Sequence, residues 1–466
     1  VLDEARRKGE LLVVDGGRSL SPRGMPKDQA ELEQRRVKAE LVARSFAAAG
    51  IDAMAVAGAD WTLGREFLVD LAARERLPVL AANLVCDGAA PFPGGKVSTI
   101  GGLRVGVVAV TEGPVEGCEV TEPRAAIRAA VAALGPVDVR IALVPVDSDR
   151  AFAAFAAPEG GDAPLPIDVA IDARGRFPDS GADLRQETWW VPGGQQGKKI
   201  GFLELTTVPG ASGWRVKGGT AAQSRAETLR ARLESAERRL AEATDAPSRE
   251  RLARQAETYR SQVAALEAAA AAPSDARPAH AIDIQTVDLD EEVADHPLSL
   301  RLVSEAKAAV TALAGADPRV FVARTVTDAS SPFAGGEACV RCHDQQHAQW
   351  STTGHARAWT GLVAVDRALD AECWSCHVTG ANAPGGPAAP TATAGFRDVQ
   401  CEACHGPSRA HAAAPEAAAS PVPRPGAETC VGCHDGEQDQ GRFDAGTYLP
   451  KVVHRAVGAP PEGASP

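Results

Sequence analysis

Read for its alternation of apolar and polar positions, the chain changes character twice. Up to about residue 210, apolar runs of strand length alternate with amphipathic stretches of helix length. Runs 11–14, 53–56, 78–82, 104–110, 139–144, 167–171 and 200–206 predict strands, and 28–49, 64–76 and 122–134 predict helices. Such alternation predicts an α/β sandwich. Residues 222–271 follow a different rule. Leu229, Leu233, Ala236, Leu240 and Ala243 are spaced four, three, four and three apart, and Leu252, Ala256, Tyr259, Val263, Leu266 and Ala270 continue the spacing. These are heptads, broken at Asp245-Ala246-Pro247-Ser248, where Ser248 is a good N-cap. They predict an antiparallel helical hairpin with arms of about 30 Å. The hairpin either packs on its own domain or docks a partner or a second copy; few apolar residues outside the seam favour the first. Farther on, stretches 381–396 and 412–427 are rich in Ala, Pro and Gly and predict little regular structure.

With 466 residues, two or three domains are expected. The patterning divides the chain into an α/β domain (1–218 and 273–325), the inserted hairpin (219–272) and a mainly helical, loop-rich domain (326–466). The net charge of −12 excludes nucleic acid as an expected partner. No apolar run is long enough to span a membrane. The chain starts at Val1 with no leader, so any targeting segment or lipid-anchored Cys is expected to precede it.

Eight of the ten cysteines change the picture. They form four C-x-x-C pairs, each followed by His: Cys339, Cys342, His343; Cys373, Cys376, His377; Cys401, Cys404, His405; and Cys430, Cys433, His434. Two thiols at this spacing form thioethers to the vinyl groups of one haem, and the adjacent His becomes the proximal iron ligand. Zinc sites would leave the four motif histidines unexplained. The expected cofactor is therefore four haem c. Four further histidines, His347, His355, His411 and His454, lie in the same segment, so eight are present where two per iron needs eight. His355, His411 and His454 are expected distal ligands. His347 lies one helical turn beyond His343 and points away from that haem; it either serves another haem or is merely solvated. Cys86 and Cys118 each follow a predicted strand. A disulfide in an oxidising compartment and two buried thiols are the alternatives.

The run Trp350-Ser351-Thr352-Thr353-Gly354-His355-Ala356-Arg357-Ala358 and the run Val399-Gln400-Cys401-Glu402-Ala403-Cys404-His405-Gly406-Pro407 resemble the signatures of a family. It is the tetrahaem cytochrome c family of the ammonia-oxidiser electron-carrier type. The resemblance covers about residues 331–456 and implies closely packed haems. It also implies that His355 ligates the fourth haem, His411 the first and His454 the third. The second haem is the one whose sixth ligand varies in the family, and His347 is the candidate for it.

The first part of the chain resembles the calcineurin-like metallophosphoesterases, in particular their 5′-nucleotidase branch, which implies an αββα sandwich. Leu11-Leu12-Val13-Val14-Asp15-Gly16-Gly17-Arg18, Leu80-Ala81-Ala82-Asn83-Leu84 and Pro192-Gly193-Gly194-Gln195-Gln196-Gly197-Lys198 carry the likeness. The departures are chemical. Arg18 stands where the metal-bridging Asp belongs, Ala59-Asp60 replaces the Asn-His pair, and no histidine precedes His280. A two-metal phosphoesterase needs those histidines, so this domain is expected to be a catalytically inactive scaffold that holds no cations.

The sequence thus points to electron transfer outside the cytoplasm, where C-x-x-C-H haem attachment takes place in bacteria: periplasm, outer surface or extracellular space. Redox proteins are the expected partners, with self-association into a conducting assembly as a further option. The alternative is a redox enzyme with one five-coordinate haem acting on a small nitrogen or oxygen species. The state of His347 separates the two.

Overall fold

The computed structural model describes residues 1–146, 152, 155–156, 163–173, 182–194, 197–211, 213–216, 221–242, 249, 252–254, 256–261, 263–264, 279–290, 292–316, 331–389, 395–435 and 443–454. The chain divides into two compact units. The first holds Val1–Met25 and Lys38–Leu300, and the second holds Pro26–Val37 and Arg301–Pro466.

The first unit is built on a six-stranded mixed sheet. Its strands are β1 (Gly95–Ile100), β2 (Leu103–Ala109), β3 (Val139–Val144), β4 (Val169–Asp172), β5 (Asp183–Arg185) and β6 (Thr188–Pro192), in the order β1-β2-β3-β4-β6-β5. The four central strands run parallel, and the edge pairs β1–β2 and β6–β5 are antiparallel. Parallel strands are normally covered on both faces, and this sheet obeys. Val105, Val107 and Ala109 point to one core with Ala53, Ala55 and Leu80. Val108 points to the other, with Ile127, Ala142 and Trp190.

Ile127 sits on the crossover helix Pro123–Leu134, which links β2 to β3. Its first turn is fixed by Glu122, whose carboxylate accepts from Arg124 N and Ala125 N, and by Pro123 at the first helical positions. Gly135, at φ 70°, ends it. Full burial of Ile127 stabilises this layer by about 2 kcal/mol.

A second sheet, Lys199–Thr206 paired with His280–Asp288 and then Trp214–Val216, lays Leu203, Leu205, Trp214, Ile282 and Ile284 on Val169, Trp189 and Val191 of the first. This makes α/β layering with two stacked sheets. Short pairs complete the unit: Val14–Asp15 with Ala53–Met54, and Leu84–Cys86 with Cys118–Val120. Predicted strand 78–82 is represented only by the bridge Met54↔Val79. Helix Ala221–Glu242 and the described helical residues from 249 to 264 bury Leu229, Ala236, Leu252, Ala256 and Val263. Arg260 bridges to Glu237 at 2.8 Å. The predicted break at 245–248 and seam positions Ala243, Leu266 and Ala270 lie outside the described residues, as do Gln195 and Gln196.

Besides most of helix Pro297–Ala316, the second unit is a series of short helices with a mainly aromatic core of Phe333, Trp359, Trp374, Val378 and Phe396. Phe333 meets Phe396 edge-on at 6.4 Å, and the Arg397 guanidinium lies 4.9 Å from the Trp359 ring centroid. Among the described residues of the chain, no helix is long and apolar enough to cross a membrane.

Candidate haem-binding site

Each C-x-x-C-H motif lies on a turn of helix. His343 N donates to Cys339 O at 2.9 Å, and His434 N donates to Cys430 O at the same distance. The second and third motifs occupy helices Ala371–His377 and Cys401–His405. Helical backbone puts both sulfurs and the imidazole of a motif on adjoining turns, as attachment to one macrocycle requires.

The other histidines bear on these four in three ring pairs. His343 faces His411 with ring centroids 6.3 Å apart, His355 faces His434 at 6.4 Å, and His405 faces His454 at 6.2 Å. Two metal–nitrogen bonds of about 2 Å and the inner halves of two imidazoles span about 6 Å. Each pair is therefore spaced to hold one metal ion between its rings. This is the pairing that the resemblance implies.

Hydrogen bonds set the tautomers. Nδ1 of His405 lies 2.8 Å from Val422 O, that of His411 2.7 Å from Ala418 O, and that of His377 2.6 Å from Ala358 O. Only a protonated Nδ1 satisfies a carbonyl, so Nε2 carries the free lone pair that a metal needs. Burial, with His434 opposite, lowers the pKa of His355. Burial, then His405 and His343, does the same for His454. Both shifts favour the neutral, ligating form.

His347 and His377 do not form a fourth pair. The His347 ring lies 5.2 Å from that of Trp350 on its own helix, Asp344–Ser351. All ten histidines are among the described residues, and no histidine ring packs against that of His377.

Sulfurs of different motifs approach one another. The Cys339 thiol hydrogen-bonds to Cys401, which that contact draws down to a pKa of about 7. Cys433 does the same to Cys376, drawn to about 6. Cys404 is pushed up by burial and by neighbouring Cys430. The first and third motifs, the second and fourth, and the third and fourth are thus neighbours.

Residues 338–406 match the family described as cytochrome c554 and c-prime. A stretch of 96 residues is 33% identical to cytochrome c-554 of Nitrosomonas europaea, covering 17% of this chain and 41% of that protein. The chain spans less than half the length of that curated relative. A cytochrome c segment of this kind implies haem c, and the paired histidines and adjacent cysteines fit it.

Several solved structures align with less than half of the chain. A sulfate thiohydrolase of Thermus thermophilus is 24% identical, with a TM-score of 0.34, over 44% of this chain and 38% of that one. A 5′-nucleotidase precursor, also from Thermus thermophilus, is 20% identical, TM-score 0.34, over 44% of each chain. A calcineurin-like phosphoesterase from Bacillus subtilis is 16% identical, TM-score 0.34, over 45% of this chain and 76% of that one.

Two clamps escaped sequence reasoning. Beside the cytochrome motifs, buried Glu402 accepts from Ala334 N, Gly335 N and Ser408 N, and Gln400 Oε1 accepts from Gly336 N. Arg409 donates to Ser331 O and Phe333 O. These bonds tie segment 331–336, which leads into the first motif, to the third motif. In the first unit, Asp60 is fully buried and accepts from Ala57, Arg18, Leu20 and Ser21 N at 2.9–3.1 Å. Burial raises its pKa to about 6. Asp15, also pushed up by burial, accepts from Gly17 N and Ser19 Oγ. A cluster of backbone donors around a buried acid is the cue, but it is invisible before folding. Cys86 and Cys118, directly opposite across two paired strands, are disulfide-bonded.

Proposed function

We propose that this protein transfers electrons outside the cytoplasm through four covalently bound haem c groups. Haem c supplies a one-electron iron couple. The chain supplies attachment, through Cys339, Cys342, Cys373, Cys376, Cys401, Cys404, Cys430 and Cys433, and iron ligation. His343 with His411, His434 with His355 and His405 with His454 are the ligand pairs of the first, fourth and third haems. Two fixed imidazoles on an iron leave little to rearrange and no place for substrate, which suits a carrier. The observation that carries this reading is the 6.2–6.4 Å spacing of the three ring pairs. The closeness of motifs one and three, three and four, and four and two supports a continuous path to redox partner proteins or to further copies of the chain. A haem count by pyridine haemochrome, with paramagnetic resonance of the oxidised protein, tests it. Four haems with at least three low-spin signals are expected; fewer than three low-spin haems would overturn it.

The first unit acts in this reading as a catalytically inactive scaffold. Asp60 spends its oxygens on backbone donors, and Arg18 occupies the position of a bridging carboxylate, so cation binding is disfavoured. A metal-dependent nucleotidase assay is expected to be blank.

One observation favours a second reading, in which the second haem is open to a small nitrogen or oxygen species. His347 packs at a tilt against Trp350, 5.2 Å between ring centroids, while His377 has no histidine ring against its own. A high-spin signal equal to one haem, removed by added cyanide, is the expected result; four low-spin haems would return the protein to a pure carrier.

A further inference from the structure

The helix that carries the second motif, Ala371–His377, is gripped by a distant piece of sequence within the same unit. Gln34, 3% exposed, donates from Nε2 to Leu369 O at 3.0 Å and accepts at Oε1 from Ala371 N at 2.8 Å. It thus mimics a backbone partner at the start of that helix. The next residue carries charge. Arg35 Nη2 lies 2.6 Å from Glu31 Oε1, and Arg35 Nε lies 3.5 Å from Glu372 Oε1. The three side chains are 6%, 5% and 20% exposed. Glu372 immediately precedes Cys373, one of the two attachment sulfurs of the second haem.

A carboxylate–guanidinium–carboxylate chain buried at this depth contributes little net stability, because desolvation offsets most of the attraction. Apolar residues would pack the same space. What the charges do is act on their surroundings, since their fields are poorly screened in the interior. Ferric haem carries one more positive charge than ferrous haem. Buried carboxylates beside it favour the ferric form and lower the potential; a buried guanidinium raises it. Of the other charges nearby, Arg367 binds Asp370 at 2.8 Å, Asp28 accepts from Glu31 N at 2.9 Å, and Lys27 and Asp28 line the same small cavity as Glu31, Gln34 and Trp374.

We propose that Arg35 is a positioning residue for the second haem's potential, holding it up against Glu31 and Glu372, with Gln34 fixing the motif helix within reach of that field. The inference rests on the four-haem reading given above. It predicts opposite signs for opposite charges, which mere packing does not.

The test is a spectroscopically monitored redox titration of the full haem-loaded chain. The second haem's step is identified as the one displaced by His377→Met. Arg35→Met is expected to lower that step by about tenfold in its equilibrium constant, which is about 59 mV for a one-electron couple. Glu372→Gln is expected to raise it, Arg35→Lys to leave it near the native value, and the other three steps to hold. The inference is overturned if Arg35→Met and Glu372→Gln move the step the same way, if neither moves it, or if all four steps move together. Should Arg35→Met fail to accumulate, Glu372→Gln decides alone, since no rise or a fall refutes it. A native chain whose Cys373 and Cys376 remain unmodified by mass spectrometry refutes the underlying reading, whereas four haems with an unmoved second step refute only this inference.

Discussion

The imidazoles of His405 and His454 lie within 10° of parallel, with centroids 6.2 Å apart, although 49 positions separate them in sequence. His405 is held by Val422 O through Nδ1, while His454 lies just beyond helix Ala445–Val452. On the proposed ligation, His454→Ala removes one ligand of the third haem and leaves the attachment cysteines in place. The haem count is expected to stay at four, and a high-spin resonance equal to one haem is expected to appear. An unchanged low-spin spectrum would show that His454 is not a ligand.

His347 offers the converse experiment. Its ring packs on Trp350, one turn along a helix with no fully buried residue, so His347→Phe keeps the contact and removes the nitrogens. The resonance spectrum and all four midpoint potentials are expected to match the native protein. Appearance of a new high-spin haem in this variant would make His347 the sixth ligand of the second haem.

Much of this arrangement is legible in the sequence, for reasons that differ by element. C-x-x-C-H is a local code, readable because one helical turn supplies the whole attachment geometry. Strands 139–144 and 104–110 are readable because their apolar runs are long and bounded. By contrast, Thr188–Pro192 is buried at every position, so it shows no alternation, and Gly95–Ile100 is an edge strand with polar residues. The grip of Gln34 and Arg35 on the second motif could not be read at all. Both sit on the polar helix Gln29–Ala49, where they look like ordinary solvated positions. Only the fold reveals that residues 26–37 group with the second unit. The same holds for Asp60: in the sequence it reads only as a departure from the Asn-His pair, and only its four backbone donors give it a structural role.

Asp60 gives a pH signature. Its pKa rises on folding from an ordinary 3.8 to about 6. Below pH 4 it is protonated in both states, and above pH 6 it is ionised in both. Between these limits the folded state binds more protons, so its contribution falls as pH rises, by about 3 kcal/mol in total. Denaturant unfolding of native protein and Asp60→Asn at several pH values reads the difference. The native curve is expected to lose stability relative to the variant from pH 4 to 6, and parallel curves would refute the shift.

The Cys86–Cys118 bridge closes a loop with a sequence separation of 32. Replacing both by Ser is expected to lower the stability of the first unit by about 3 kcal/mol, chiefly by releasing the unfolded chain. Thermal unfolding with and without a thiol reductant measures it. The haem resonances are expected to stay as they were, since the bridge lies in the first unit; an equal melting temperature in both proteins would deny the bridge its role.

Glu402 sits between Cys401 and Cys404 yet points away from attachment chemistry, 3% exposed. Its oxygens take Gly335 N and Ser408 N at 2.7 Å each, and Ala334 N at 2.9 Å. Glu402→Ala leaves these donors facing an empty space, and an unmet buried donor costs about 1–3 kcal/mol. A total loss of about 3 kcal/mol or more is expected on denaturant unfolding. Stability alone would not separate this clamp from any other buried contact. Segment 331–336 runs directly into Cys339, so loosening it should also disturb the His343–His411 pair, 6.3 Å apart. The low-spin resonance of the first haem is therefore expected to broaden or split in Glu402→Ala, while that of the His355–His434 pair keeps its shape. Equal broadening at both would point to general loosening of the unit and against a specific tie between the first and third motifs.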